Sequence, residues 1–254
     1  MIQSLQKAVS ILEYMKIENR EYSISEISEN LNMPTSTTHR ILNTLINCDF
    51  ITKDAKSHLY KLGPGLISLG TAAALNISLQ SEAKPILESL SHKSLEDSFL
   101  AIKSGNYGVV IGKAVGSHTL KVIENFGREI ELHKGAIRKV ILAYQSDEFI
   151  EKYLSTELDS YIDKSVNKKE LEEELQFIKQ NKYCVSYGEY IANTAGIGAP
   201  VFNYQKEFVG SIGIVVPYYR FQNNETDLIE AVVEASEKLS YKLGYYNPKG
   251  HQTN

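Results

Sequence analysis

Six consecutive residues, Thr35-Ser36-Thr37-Thr38-His39-Arg40, carry hydroxyl, imidazole and guanidinium groups and no large apolar side chain. Small hydroxyl side chains let a helix backbone come close to a nucleic-acid groove, where Ser and Thr bond phosphates or base edges and Arg engages guanine or phosphate through two N–H groups. That chemistry is recognition, not bond making. Ile41, Leu42, Leu45 and Ile46 follow at helical spacing. A helix over residues 35–45, with Pro34 at or just before its first turn, can therefore be anchored by one end and read by the other, with Asn43 among its polar positions. Lys53, Lys56, His58 and Lys61 come next and would meet flanking phosphates, and Ser25 adds a hydroxyl just upstream.

No other grouping offers catalysis. A nucleophile elbow of the form G-x-S-x-G is missing, and Gly210-Ser211-Ile212-Gly213 has the wrong spacing and reads as a strand. The six histidines, His39, His58, His92, His118, His133 and His251, form neither H-x-H nor H-E-x-x-H, so neither a metal nor a triad is expected. Gly196-Ile197-Gly198-Ala199-Pro200 lacks the third glycine of a dinucleotide loop and reads as the start of a strand. No cofactor is expected. Cys48 and Cys184 stand apart without a C-x-x-C, which points to a reducing cytoplasm.

Behind these residues must stand elements that position them. The 254 residues allow one large domain or two smaller ones. The net charge is -4, and residues 1–70 are balanced, so all the net acidity lies beyond them, while residues 33–62 are locally positive. Leu5, Val9, Leu12 and Met15 recur as one face of a first helix ending near Asn19. Ser23 or Ser25 caps a second helix carrying Ile27 and Leu31. After the third helix, strands over residues 50–53 and 59–62 flank Asp54-Ala55-Lys56-Ser57 as a hairpin. Three helices and a hairpin make a winged helix-turn-helix over residues 1–65. Leu66, Leu69, Ala73 and Ile77 then mark a linker helix over residues 66–79.

Beyond it the pattern mixes strands (99–103, 109–113, 120–123, 183–187, 197–202, 208–216) with helices (135–144, 149–154, 168–179, 226–243), which is the mark of an α+β domain. Residues 62–79 are broken by polar residues and glycines and are too short to span a bilayer, and no export signal is expected.

The order Leu5 to Leu12, Ser25 to Leu31, Met33 to Leu42 and Leu59 to Gly63 resembles the DNA-binding domain of the IclR family of bacterial transcription regulators, and the P-x-S-T-x-x-R-x-L core is matched by Pro34, Ser36, Thr37, Arg40 and Leu42. The resemblance runs on to about Tyr245 through Leu132-His133, Glu189 and Ala199-Pro200-Val201. It implies a GAF-like α/β effector-binding and assembly domain over residues 81–246, followed by a tail at 247–254. It also implies a cytoplasmic homodimer or dimer of dimers that binds a double-stranded DNA operator and responds to a small-molecule effector.

The effector residues it implies include Ser186 and Gly196, where family members that bind small carboxylates carry an acid and a cysteine, and Gly213 and Val215, where they carry serines. Glu189 joins them. Gly135-Ala136-Ile137, followed by Arg138, would start a helix whose unpaired N–H groups suit an anion on physical grounds alone. Loss of side chains at Gly196 and Gly213 is expected to enlarge the pocket and favour an organic acid with an apolar or aromatic body. The competing expectation is a small-molecule sensor that acts without touching DNA.

Overall fold

The computed structural model describes residues 2–74, 77–122, 127–162 and 165–246. Contacts divide the described residues into two compact units, residues 2–74 and Ile77–Tyr246.

In the first unit α1 (Gln3–Glu18), α2 (Ile24–Asn30) and α3 (Thr35–Asn47) precede a two-stranded wing, β1 (Ile51–Lys53) and β2 (Tyr60–Leu62), and then α4 (Gly65–Ala74). The core joins Ile11, Met15, Tyr22, Ile27, Ile41, Leu42, Leu45, Ile51 and Tyr60. The buried stripe of α1 is Ile11 and Met15 with Ala8 and Leu12 against it, whereas Leu5 and Val9, expected inside, are exposed. Four apolar residues at helical spacing fitted two adjacent stripes, and only one of them meets the core.

Ser23, not Ser25, caps α2. Its hydroxyl accepts the Glu26 N–H (3.2 Å) while the Glu26 carboxylate accepts the Ser23 N–H (2.8 Å), a complete reciprocal cap. The wing is tied to the helices by Tyr22 and Tyr60, which exchange backbone hydrogen bonds of 2.9 and 2.8 Å. Its tip is ordered by Asp54, whose carboxylate accepts the Lys56 and Ser57 N–H groups. Gly63 ends the wing where a Cβ would lie 2.3 Å from the Asp49 carbonyl oxygen, so no other residue fits.

The helix expected over residues 66–79 is two helices. α4 stops at Ala74 with none of its side chains buried, and α5 (Leu79–Ser94) opens the second unit. Ile77, assigned to the linker, lies between them, and residues 75–76 fall outside the described set. α5 itself has no counterpart among the helices expected from the sequence.

The second unit is built on a six-stranded antiparallel sheet in the order β5-β4-β3-β8-β7-β6. The strands are β3 (Ser98–Ser104), β4 (Tyr107–Ala114), β5 (Glu129–Glu131), β6 (Cys184–Tyr187), β7 (Thr194–Phe202) and β8 (Phe208–Pro217). α5 and α9 (Tyr218–Lys242) cover one face, meeting Leu100, Ile197, Ala199, Ile212 and Ile214. α6 (Ala136–Ala143), α7 (Asp147–Ser155) and α8 (Lys168–Asn181) pack with Phe99, Ala101, Val110 and Val215 in a second core. The fold is α+β, as expected.

The strand expected over residues 120–123 is not formed at Leu120–Val122, and Ile123 falls outside the described residues. Lys121 instead bonds the Gly116 carbonyl (2.7 Å) and approaches Asp97 (3.4 Å), which holds this segment as a loop. α9 begins directly after Pro217, well before residue 226, and crosses a kink at Asn224.

Candidate functional site

The two faces of α3 are segregated. Thr35, Ser36, His39, Arg40 and Asn43 are exposed and Thr37 is half-buried, while Ile41, Leu42 and Leu45 anchor the helix from the opposite side. Thr38 is a correction to the expected set. It is fully buried, and its hydroxyl donates to the Pro34 carbonyl (3.2 Å), so it serves the start of the helix and presents nothing outward. His39, which the sequence reading placed in the polar run but not among the contact residues, shares the outer face. Its Nδ1 lies 3.3 Å from the Asn43 amide nitrogen, one turn on.

Ser25 is exposed on α2, and Lys53, Lys56, His58 and Lys61 are all exposed on the wing. Lys53 lies over the Tyr60 ring (5.2 Å) and Lys61 faces Glu21 (3.4 Å), so Lys56 and His58 are the more available groups at the tip. The geometry suits a polyanion: a small, donor-rich helix face flanked by a basic hairpin.

In the second unit Gly135, Ala136, Ile137, Arg138, Ser186, Glu189, Gly196 and Val215 line one cavity, together with residues of the β6–β7 loop such as Tyr190. Gly213 does not line it. A Cβ there would stand 2.7 Å from Ile137 Cγ1 and 2.0 Å from the Ile197 carbonyl oxygen, because α6 packs directly on the sheet. Gly196 is likewise closed in, its hypothetical Cβ 2.9 Å from Ser186 Oγ. The enlargement expected at Gly213 is therefore overturned, because Ile137 of α6 and the β7 backbone fill that space, while beside Gly196 the nearest group is the Ser186 hydroxyl. The cavity holds roughly one water molecule.

The N–H groups expected to be unpaired at the start of α6 are in use. Gly135 N–H donates to Glu189 Oε2 (3.1 Å) and Ala136 N–H to Ser186 Oγ (2.8 Å). One turn into the helix Lys139, which has no exposure, donates to Glu189 Oε1 (2.5 Å) and also pairs with Glu174 of α8. Burial alone would lower the Lys139 pKa, but the Glu189 carboxylate and Glu174 hold it above the usual lysine value. Burial likewise raises the Glu189 carboxyl, with Lys139 opposing and Glu174 adding to the rise, since one ammonium faces two carboxylates.

Arg138 is buried, and its guanidinium lies 4.8 Å from the centre of the Tyr190 ring. Just before the helix His133 is buried, with Nε2 2.8 Å from the Asp159 carbonyl oxygen and Nδ1 2.8 Å from Tyr153 Oη. A carbonyl only accepts, so Nε2 carries the proton and Nδ1 accepts from the Tyr153 hydroxyl. Burial keeps this imidazole below its ordinary pKa, hence neutral, and raises the Tyr153 phenol to about 12. Sequence pattern gave no sign of Lys139, since only the fold brings Glu189 to it.

Wider clefts of about 650 and 600 Å³ lie along α5 and β4 and around Glu96 and Arg220, but their polar groups are surface charges or paired, as in the two Arg220 bonds to Glu96 of 2.5 and 3.0 Å. Among the described residues no cluster of His, Cys, Asp or Glu is placed to hold a metal ion, and no helix is long and apolar enough to cross a membrane.

Comparison with known proteins agrees with both units. Residues 4–55 match the IclR helix-turn-helix domain, and residues 71–241 match the C-terminal domain of bacterial IclR transcriptional regulators. The chain is 32% identical to the HTH-type transcriptional regulator KipR of Bacillus subtilis, over 88% of this chain and 90% of that protein. It is 26% identical to the HTH-type transcriptional repressor AllR of Escherichia coli, over 95% and 90%. Pseudomonas aeruginosa HmgR superposes with a TM-score of 0.84 at 22% identity, covering 96% of this chain and 99% of that one. An IclR homolog from Microbacterium hydrocarbonoxydans, solved with 4-hydroxybenzoate, superposes with a TM-score of 0.60 at 20% identity, covering 94% and 98%. The matched relatives are regulators, not enzymes. With a family match over more than half its length and a fold to go with it, the chain belongs to the IclR family of transcriptional regulators, and its helix-turn-helix is a DNA-binding domain.

Proposed function

We propose that this regulator represses transcription by setting the outer face of α3 into the major groove of an operator, with the wing on the adjoining backbone, and that a small carboxylic acid bound at the start of α6 changes its affinity. The segregation of α3 into a polar outer face and an apolar anchor carries the first half. Ser36, Arg40 and Asn43, with His39, are the base-reading groups in this reading, and Thr35, Thr37, Ser25, Lys53, Lys56, His58 and Lys61 position the domain on phosphates. Repression is supported by the named activity of the relative AllR. Action on chromosomal DNA would place the protein in the cytoplasm.

The effector half is supported by the cavity at Gly135–Arg138, Ser186, Glu189, Gly196 and Val215, by the N–H groups there, and by the relative that holds 4-hydroxybenzoate. An acid with an aromatic or longer apolar body remains the favoured class, because Tyr190, Ile191 and Val215 offer apolar surface, and room for the body comes from outward movement of the β6–β7 loop.

Assembly follows from footprint. One recognition helix reads too few base pairs for operator specificity, so two copies on a pseudo-palindrome are expected. Ile2 just before α1, Leu5 and Val9 on α1 and Ile67 and Leu69 on α4 are large apolar side chains more than half exposed, and they supply the surface for a homodimer. The test is an anisotropy titration of a DNA fragment recovered by in vitro selection, with and without a panel of organic acids. Specific binding weakened by one class of acid supports the reading, and binding indifferent to sequence refutes its first half.

A further inference from the structure

At the start of α6 the chain already holds a carboxylate, its own. Glu189 divides its two oxygens between the Gly135 N–H (3.1 Å) and Lys139 Nζ (2.5 Å), donors four residues apart and therefore on one side of the helix. The next donor, Ala136 N–H, is taken by Ser186 of β6. Both acceptors belong to the β6–β7 hairpin, and the loop that carries Glu189 is bounded by left-handed residues, Gly188 (φ +63°) and Asn193 (φ +56°). With room for about one water beside Glu189, the cavity as it stands is smaller than an organic acid, and Glu189 holds the donors that a ligand carboxylate would need.

We propose that Glu189 is a resident, exchangeable occupant of a carboxylate subsite: in the empty protein it fills the place of a ligand carboxylate between Gly135 N–H and Lys139, and an acid binds by replacing it and releasing the β6–β7 loop. The inference rests on reading this cavity as the effector site. Charge explains the class of ligand. Lys139 is fully buried, and its other partner Glu174 has a side chain 48% exposed. Exchanging one carboxylate for another leaves the buried charge unchanged, whereas a neutral ligand that expelled Glu189 would leave the ammonium facing one half-exposed carboxylate. The site therefore selects carboxylates. An intramolecular occupant competes at high effective concentration, so the smallest acids, which add no contacts from a body, lose to Glu189.

The test is chemical rescue in the full chain. Melting temperatures of wild type, Glu189→Ala and Glu189→Gln are followed against acetate, with chloride and acetamide as controls at constant ionic strength. Acetate should stabilise Glu189→Ala saturably, with an apparent affinity at least about tenfold above wild type, and Glu189→Gln, whose amide oxygen still accepts the Gly135 N–H, should fall between. An equal response of all three proteins, or acetate acting no better than chloride or acetamide, overturns the proposal. Should Glu189→Ala fail to fold in every condition, Glu189→Gln decides: acetate binding tighter than in wild type supports the exchange, and binding no tighter refutes it. Rescue of the variant, with no acid affecting operator binding by wild type, would leave the exchange standing and remove the effector reading. Acid control of the operator without rescue would do the reverse.

Discussion

Removing the ammonium of Lys139 should damage the second unit more than any other single change of charge in it. The Lys139 side chain is 1% exposed, that of Glu189 8% and that of Glu174 48%. Lys139→Met keeps the length and packing of the side chain but leaves Glu189 as an uncompensated buried carboxylate, a loss of roughly 3–5 kcal/mol. For a unit of this size that lowers the melting temperature by roughly 6–20 °C. Glu174→Gln, at a side chain that water can reach, should cost less than about 1 kcal/mol. The double variant Lys139→Met, Glu189→Gln should recover most of the loss, because the glutamine oxygen still accepts the Gly135 N–H and neither member of the pair is charged. Urea denaturation followed by circular dichroism gives all three values. A Lys139→Met protein within about 1 kcal/mol of wild type, or a double variant no better than the single, would refute the buried-pair reasoning.

Other expectations follow from the same contacts. Burial would raise the Asp97 carboxyl, but Lys113, the Gly116 N–H and Lys121 hold it below its ordinary value near 3.8. Its folded pKa is depressed, so its contribution is complete above the ordinary value and is lost as pH falls through the folded one, and Asp97→Asn should show a shallower loss of stability than wild type as pH falls below about 5. Lys56→Ala should weaken binding to every DNA sequence and reduce the salt slope by roughly one phosphate contact, whereas an unchanged slope removes the wing tip from the backbone. Light scattering at micromolar concentration should show at least a dimer, and Leu5→Glu with Val9→Glu should shift it toward monomer if α1 supplies the contact.

What was legible in the sequence was local. The winged unit could be read because its helices, the Pro34 start and the wing each depend on residues within about a dozen positions, and the family core Pro34, Ser36, Thr37, Arg40 and Leu42 lies inside one of them. Even there, periodicity could not say which of two stripes on α1 faces inward, nor that the hydroxyl of Thr38 turns back to Pro34. α5 escaped notice although Ala83, Leu87 and Leu90 repeat at helical spacing, because Pro85 and a polar outer face interrupt the pattern. The pocket residues were found by resemblance, yet their state was not. Glu189 and Lys139 are 50 positions apart, and nothing short of the sheet order reveals that the carboxylate fills the helix start. The same distance effect hides what surrounds Gly213: Ile137, 76 positions away on α6, fills the space that the glycine leaves beside the sheet.

The most direct measurement of α3 as the reading helix is the affinity of Arg40→Ala for the selected operator and for a scrambled duplex, at one salt concentration, by fluorescence anisotropy. Arg40 stands exposed beside His39 and Asn43, and a base contact from its guanidinium is worth about 1–3 kcal/mol of discrimination. The variant should bind the operator roughly 5- to 150-fold more weakly and lose much less on the scrambled duplex, so that specificity falls with affinity. An Arg40→Ala protein that binds the operator as tightly as wild type, and still prefers it, contradicts the assignment.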